Sequence, residues 1–319
     1  MTIRMTFLDV LHPTLARLVR EEAPAGWEVT LVEEDSPEAR VAATRNADFL
    51  FLIGAPATRE VIEAAPRLRL VQKLGAGVDN IDLAACRSRG IPVARAAGSN
   101  AVPVAEHTLM LILACLRRLP LQDRATRQGI WRREQARSEN RQITGKCLGI
   151  VGMGAIGRAV TKLLAGFRCE IIFHDPDPTA REVGKALGAR HVELDDLFRQ
   201  ADIVSLHLPL LPETAGLVNR ERIAMMKPGA ILINCARGRI VDEDALHEAL
   251  QSGHLGGAGI DTFAEEPVRE SPLLHSDSTV VTPHIAAATV DNFLNIVRHG
   301  YRNATTLLNG GQVPEADLV

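Results

Sequence analysis

Three glycines and one acidic residue carry the first chemistry in this chain. The run Cys147-Leu-Gly-Ile-Val-Gly-Met-Gly-Ala-Ile-Gly157 is an apolar strand that feeds Gly152-x-Gly154-x-x-Gly157 and then a helical segment. Gly152 permits a tight turn. Gly154 lets the backbone approach a pyrophosphate, and Gly157 lets the helix close onto the strand. The first helical residues, Ala155 and Ile156, offer N–H groups to phosphate oxygens. The next apolar run, Glu170–His174, ends at Asp175, eighteen residues past Gly157. A carboxylate there accepts both ribose hydroxyls and repels a 2′-phosphate, which favours NAD over NADP. Arg181 is near enough in sequence to argue the other way. Three more charged groups follow at the ends of later apolar runs: Arg237, Glu266 and His284. Strand ends at the carboxyl edge of a doubly wound sheet are where ligands bind. Single cations and carboxylates are mostly solvated surface charges, so these three matter for their company.

The elements that position them follow from length and pattern. The chain has 319 residues, more than one core usually supports, so two domains are expected. It is 46% hydrophobic and 24% charged with a net charge of −3, which excludes collagen, disordered and disulfide-scaffold classes. That balance gives no reason to expect nucleic acid or an anionic membrane as partner. Aromatic residues make up only 3%, so stacking platforms for single-stranded nucleic acid are not expected and the core must be mostly aliphatic, packed with Ala and Gly. Five scattered cysteines form no C-x-x-C, which points to buried reduced thiols and no metal. The N-terminus lacks an apolar signal-peptide core, and the most apolar run, Leu109–Leu116, is too short for a bilayer. A cytoplasmic location is the expectation.

Short apolar runs alternate with helical patterns, which predicts α/β architecture with parallel sheets. Candidate strands are Met5–Leu8, Glu28–Val32, Phe49–Ile53, Leu70–Lys73 and Pro92–Ala94, then Cys147 onward, Glu170–Phe173, Ile203–Leu206, Ala230–Ile233, Gly257–Ile260 and Thr279–Val281. Asn100 reads as the N-cap of a helix that runs to about Arg118 and is apolar on nearly every face, so burial is expected. An Arg-rich surface segment follows to Thr144, with Trp131 as its expected anchor. The last helix, about Val290–Leu308, keeps an apolar stripe and is expected to return to the first domain.

Several motifs in order make the sequence similar to the D-2-hydroxyacid dehydrogenase family, across essentially its whole length. Leu74-Gly-Ala-Gly-Val-Asp-Asn-Ile-Asp82 resembles the family's substrate loop, and Val104-Ala-Glu-His107 the start of its interdomain helix. Ala201 through His207 and Pro209 to Thr214 resembles its second signature. Met226 through Asn234, Cys235 and Ala236 to Arg237-Gly238 resembles its third. The resemblance implies a Rossmann cofactor domain over residues 100–287. It also implies a flavodoxin-like substrate domain over 1–99 with 288–319 returning to it, and an active-site cleft between the two. It implies that His284 gives a proton when a 2-keto acid is reduced and takes it in reverse, a task for a group that titrates near neutrality. Glu266, marked by the following Pro267, would hydrogen-bond that ring. Arg237 would clamp the substrate carboxylate with its planar fork. Backbone N–H groups at Gly75, Ala76 and Gly77 would hold the same carboxylate. Lys73 stands where it could meet an extra anionic group. Asp261 would bind the nicotinamide carboxamide, and His207, Pro209, Thr214, Cys235, Ala236 and His284 would line the cofactor. A homodimer through the cofactor domains is implied as well.

The chain departs from the pattern at Arg95-Ala-Ala-Gly98, where many phosphoglycerate enzymes have Asn-Thr-Pro, and at Ala286-Ala287, where a glycine is usual. The sequence ends at Val319, and the serine-binding regulatory domain of some members is expected to be absent. The leading expectation is an NAD-dependent reductase of small 2-keto acids. Competing readings are a phosphite or formate dehydrogenase and a non-catalytic NAD-sensing protein. The scarcity of aromatic residues favours a small polar substrate.

Overall fold

The computed structural model describes residues 2–96 and 98–319; Met1 and Ala97, the latter within the Arg95–Gly98 departure, lie outside the described residues. The chain divides into two compact units, Met1–Asn100 with Ala288–Val319, and Ala101–Ala287.

The first unit holds five strands: β1 (Ile3–Phe7), β2 (Trp27–Leu31), β3 (Phe49–Leu52), β4 (Leu70–Lys73) and β5 (Val93–Arg95). They form one parallel sheet in the order β2-β1-β3-β4-β5. Parallel strands need crossovers, and helices between the strands supply them. Strand β3, Phe-Leu-Phe-Leu, is buried at every residue, as a central strand covered on both faces must be. The aromatic residues concentrate here. Trp27 stacks on Phe49 at 5.1 Å, and Tyr301, from the long C-terminal helix Val290–Leu308, meets Phe51 at 5.2 Å. The Tyr301 hydroxyl donates to the Val19 carbonyl, so the buried phenol is satisfied.

The second unit holds seven strands: β6 (Cys147–Val151), β7 (Glu170–His174), β8 (Arg190–His191), β9 (Ile203–Leu206), β10 (Ile231–Asn234), β11 (Gly257–Ile260) and β12 (Thr279–Val281). They form one parallel sheet in the order β12-β11-β10-β9-β6-β7-β8. The chain moves outward from β6 through β7 to β8 and then crosses to β9 on the other side of β6. The switch point therefore lies between the ends of β6 and β9, the usual crevice for a nucleotide. The core is mostly aliphatic: Leu148, Ile150, Val204, Leu206, Leu232 and Ile233 are buried, with Phe173 and Phe198 among them.

One strand is not among the candidates, and two expectations need correction. β8 carries no apolar run, and its pairing with Ile172 and Phe173 is what makes it a strand. The helix Ala101–Leu116 is not buried all round, because Val102, Met110 and Leu113 are exposed. Trp131 is not an anchor among the described residues, being 78% exposed. The Arg-rich segment forms two short helices, Leu119–Arg127 and Arg133–Glu139. No helix among the described residues is long and apolar enough to cross a membrane.

Candidate active site

Two glycines of the fingerprint, Gly152 and Gly157, stand where nothing larger fits. Gly152 follows β6 with φ +95°, and a Cβ there would lie 2.4 Å from the carbonyl oxygen of His207 at the end of β9. A Cβ on Gly157 would lie 2.1 Å from the Gly152 oxygen. Gly154 has open space beside it, which leaves its backbone approachable. The helix Ala155–Leu164 starts at Gly154 with no side-chain cap, so its first N–H groups face outward for an anion. Asp175 ends β7, and its carboxylate accepts the N–H of Met153 at 2.7 Å and of Asp177 at 2.9 Å. This ties the acidic residue to the glycine turn. Arg181 donates to the Asp175 carbonyl at 2.8 Å, so its guanidinium is partly committed to the main chain. A pyrophosphate cradle beside a carboxylate is the donor and acceptor set that a nicotinamide dinucleotide requires.

Arg237, Glu266 and His284 follow β10, β11 and β12 in turn. The turn carrying Arg237 is closed by Asn234, which is buried. Its side-chain oxygen accepts from Ala236 N and its nitrogen donates to the Arg237 carbonyl, both at 3.0 Å. The Arg237 guanidinium donates to the Ala236 carbonyl at 2.7 Å. Glu266 accepts from Phe263 N at 3.0 Å with one oxygen and meets His284 Nδ1 at 2.7 Å with the other. Partial burial pushes its carboxyl upward. The hydrogen bonds to His284 and Phe263, with the charges of His284 and Arg237, outweigh burial and hold it below the usual carboxylate range. Because Glu266 takes Nδ1, the other ring nitrogen of His284 is the one presented to a reactant. The His284 backbone lies in the left-handed region, at φ +53°, which a non-glycine residue seldom occupies.

A model of the D-isomer specific 2-hydroxyacid dehydrogenase NAD-binding domain matches residues 109–286. The chain belongs to the D-isomer specific 2-hydroxyacid dehydrogenase family. It is 39% identical over 284 residues to D-3-phosphoglycerate dehydrogenase of Mycobacterium bovis, an alignment covering 89% of this chain and 52% of that one. The chain thus spans about half the length of the curated relatives it matches. A protein of Thermus thermophilus superposes with a TM-score of 0.86 at 34% identity, covering 99% of this chain and 100% of that one. NAD-dependent formate dehydrogenase from Staphylococcus aureus, solved with NAD, superposes with a TM-score of 0.83 at 27% identity, covering 99% and 98%.

The family assignment frames the remaining residues. Asp261, just after β11, is fully buried. It accepts from Thr282 Oγ1, Ile285 N and Ala286 N at 2.6–2.9 Å, so it fastens the β12 loop whatever else it binds. Thr214 closes its own loop, donating to the Pro209 carbonyl and accepting from Leu211 N, both at 2.7 Å. His207 shares a hydrogen with Ser205 at 2.8 Å, and burial pushes its imidazole down to about 3, so the ring stays neutral. Burial likewise raises the Cys235 thiol to about 12, which leaves it unreactive.

In the first unit, Lys73 ends β4. Its ammonium donates to the Ile53 carbonyl and to Asn80 Oδ1, the latter at 2.8 Å, and a Cβ on Gly75 would meet its chain at 3.6 Å. Asp9 binds the N–H groups of Ile53, Gly54 and Ala55 at 2.6–2.8 Å and shapes the same sheet edge.

Four residues with a part in these loops carry no sequence-based expectation: Asn234, Glu243, Thr282 and His107. Glu243 accepts from Ala264 N at 2.7 Å and from Ser271 Oγ at 2.6 Å, holding the segment that presents Glu266. Asn234 and His107 do fall inside family-like stretches, which was the available signal.

Proposed function

We propose that the chain is an NAD-dependent dehydrogenase interconverting a small 2-keto acid and its D-2-hydroxy acid. The reading rests above all on the 2.7 Å contact between His284 Nδ1 and Glu266 beside Arg237. NADH, when bound, supplies the hydride. The fingerprint residues Gly152, Gly154, Ala155, Ile156 and Gly157 hold its pyrophosphate, Asp175 its ribose, and Asp261 its carboxamide. His284 Nε2 delivers the proton that turns the keto oxygen into a hydroxyl. Glu266, kept ionised, stabilises the protonated ring and sets its orientation. Arg237 binds the substrate carboxylate and draws charge toward the keto oxygen as it becomes anionic. The N–H groups of Ala76 and Gly77 and the Lys73 ammonium are proposed as further substrate contacts.

The acid/base pair separates this reading from formate oxidation. Formate loses only hydride on becoming carbon dioxide, and no hydroxyl proton moves. A histidine hydrogen-bonded to a carboxylate has no proton to move there, whereas oxidising a hydroxy acid requires a base to take the hydroxyl proton. The aromatic residues argue for a small substrate. Phe7, Phe49, Phe51, Phe173 and Phe198 are wholly buried in the cores, and Phe263 is the ring in the segment before Glu266. Glyoxylate, hydroxypyruvate and 3-phosphohydroxypyruvate are therefore the proposed class. NAD is proposed over NADP because the Asp175 carboxylate, just after β7 and held by Met153 N, is of the kind that accepts ribose hydroxyls and repels a 2′-phosphate.

The test is NADH oxidation against glyoxylate, hydroxypyruvate, pyruvate, phenylpyruvate and phosphohydroxypyruvate, repeated with NADPH. His284→Ala should lose turnover while NADH still binds. Turnover near the wild-type rate in that variant would refute the assignment. Tight NADH binding with no turnover on any acid would favour an NAD-sensing protein. We also propose a homodimer. Exposed Met110 and Leu113 line a groove of about 550 Å³ with Leu109 and Leu119, and exposed Ile130 and Trp131 follow soon after in the chain.

A further inference from the structure

His107 lies on the helix Ala101–Leu116, far in sequence from the residues given chemical roles. Its side chain is nearly buried, and Nε2 stands 3.0 Å from Thr282 Oγ1 and 3.5 Å from Asp261 Oδ1. The Thr282 hydroxyl donates to Asp261 Oδ1 at 2.6 Å. A hydroxyl has one proton, and here it is given to the carboxylate. Thr282 Oγ1 must therefore accept from His107, which places a hydrogen on Nε2 of that ring. The relay runs from His107 through Thr282 to Asp261.

Asp261 passes the constraint on. Its Oδ1 accepts from Ile285 N at 2.9 Å, its Oδ2 from Ala286 N at 2.9 Å, and its main-chain oxygen from His284 N at 2.7 Å. Three consecutive backbone N–H groups, beginning at His284 itself, are thus tied to one buried residue. His284 occupies the left-handed region, where a side chain with a Cβ is strained and persists only if its surroundings over-determine it. We propose that His107 and Thr282 are positioning residues, which hold Asp261 so that the His284 backbone stays left-handed and its ring stays on Glu266. The proposal rests on the dehydrogenase reading for its kinetic consequences, though not for its structural one.

Thr282→Val keeps the shape of the side chain and removes the hydroxyl, while Thr282→Ser keeps the hydroxyl. In the valine variant kcat for the best keto acid should fall about ten- to a hundredfold, as befits a lost hydrogen bond to a carboxylate. The keto-acid KM and the NADH Kd should stay within a factor of about three. The serine variant should recover most of kcat. His107→Gln, whose amide can still donate, should exceed His107→Leu in kcat, and this pair decides the matter if the valine variant does not fold. An unchanged kcat in the valine variant, or equal losses in valine and serine, overturns the proposal. A separate readout is the imidazole NMR signal of the Nδ1–Glu266 hydrogen bond in the absence of substrate. It should weaken in Thr282→Val. If no keto acid is turned over even by the wild-type protein, the dehydrogenase reading fails. That NMR signal then decides the positioning role alone, and its persistence in Thr282→Val refutes it.

Discussion

Replacing Gly238 by alanine probes how Arg237 and Glu266 are kept at their separation. Gly238 is buried directly after Arg237, against the segment that leads to Glu266. A Cβ there would stand 1.8 Å from the carbonyl carbon of Phe263, 2.0 Å from its oxygen and 2.3 Å from Ala264 N. Carbon atoms in contact rest at about 3.5–4.0 Å, so the two backbones must part by roughly 1.5 Å or more. Backbone, not a flexible side chain, receives the push. Forced overpacking costs about 1–3 kcal/mol. For a unit of this size that lowers Tm by roughly 2–12 °C. The kinetic effect is larger, because the displaced segment is the one whose Phe263 N–H orients Glu266. A misplacement of about 1 Å at a reacting group costs on the order of a hundredfold in rate. Steady-state NADH oxidation should therefore show kcat/KM down about a hundredfold, with NADH affinity by fluorescence titration falling far less, since the Gly152–Gly157 turn is untouched. Undiminished turnover in Gly238→Ala, with Tm unchanged or lowered, would refute the idea that this seam sets the geometry.

Two further outcomes concern stability and assembly. His207 titrates near 3 when folded, against about 6.5 when unfolded, so the unfolded chain binds a proton that the folded one refuses. Its contribution is fully present above about pH 6.5 and is lost progressively as pH falls toward 3, on the order of a few kcal/mol in all. Urea midpoints measured at pH 7 and pH 5 should differ less in His207→Gln than in the wild type, and equal slopes would contradict this. Leu113→Glu places a charge in the exposed groove of the helix Ala101–Leu116. Sedimentation at micromolar concentration should give the monomer mass for the variant and the dimer mass for the parent, and a monomeric parent would end the dimer proposal.

The strands were legible in the sequence because a parallel strand covered on both faces must be a short continuous apolar run, and β3 and β6 are of that kind. β8 is the exception that explains the rule. Arg190 and His191 become a strand by adding to the edge of β7, a tertiary cause with no local trace. The exposed side of the helix Ala101–Leu116 was hidden for a related reason. An apolar side chain facing solvent and one facing a core look alike until the neighbours are known. Trp131 misled in the same way, since a large ring is a natural anchor and this one points outward. The fingerprint was legible at Gly152 and Gly157 because close approach of two backbones forbids a side chain, and glycine records that ban in the sequence itself. The partners that hold the loops left no such record. Glu243 meets Ser271 across 28 residues and His107 meets Thr282 across 175, and no local spacing rule reaches that far.

The three chemical groups of the second unit are not positioned separately. Arg237 hangs from a turn closed by Asn234, and that turn presses on Phe263 and Ala264 at Gly238. The same segment, held by Glu243, orients Glu266 through Phe263 N. Asp261, at the head of that segment, takes the N–H groups of His284, Ile285 and Ala286. The loops after β10, β11 and β12 are therefore stitched in series, and a strain at one seam is felt at the next. Such a chain of backbone contacts pre-sets the guanidinium, carboxylate and imidazole before any reactant arrives. On the proposed reading, reorganisation that solvent would otherwise perform during proton transfer would already be completed in folding. It also explains why the least conspicuous residues here, a glycine and a buried aspartate, carry as much of the proposed chemistry as the histidine they hold in place.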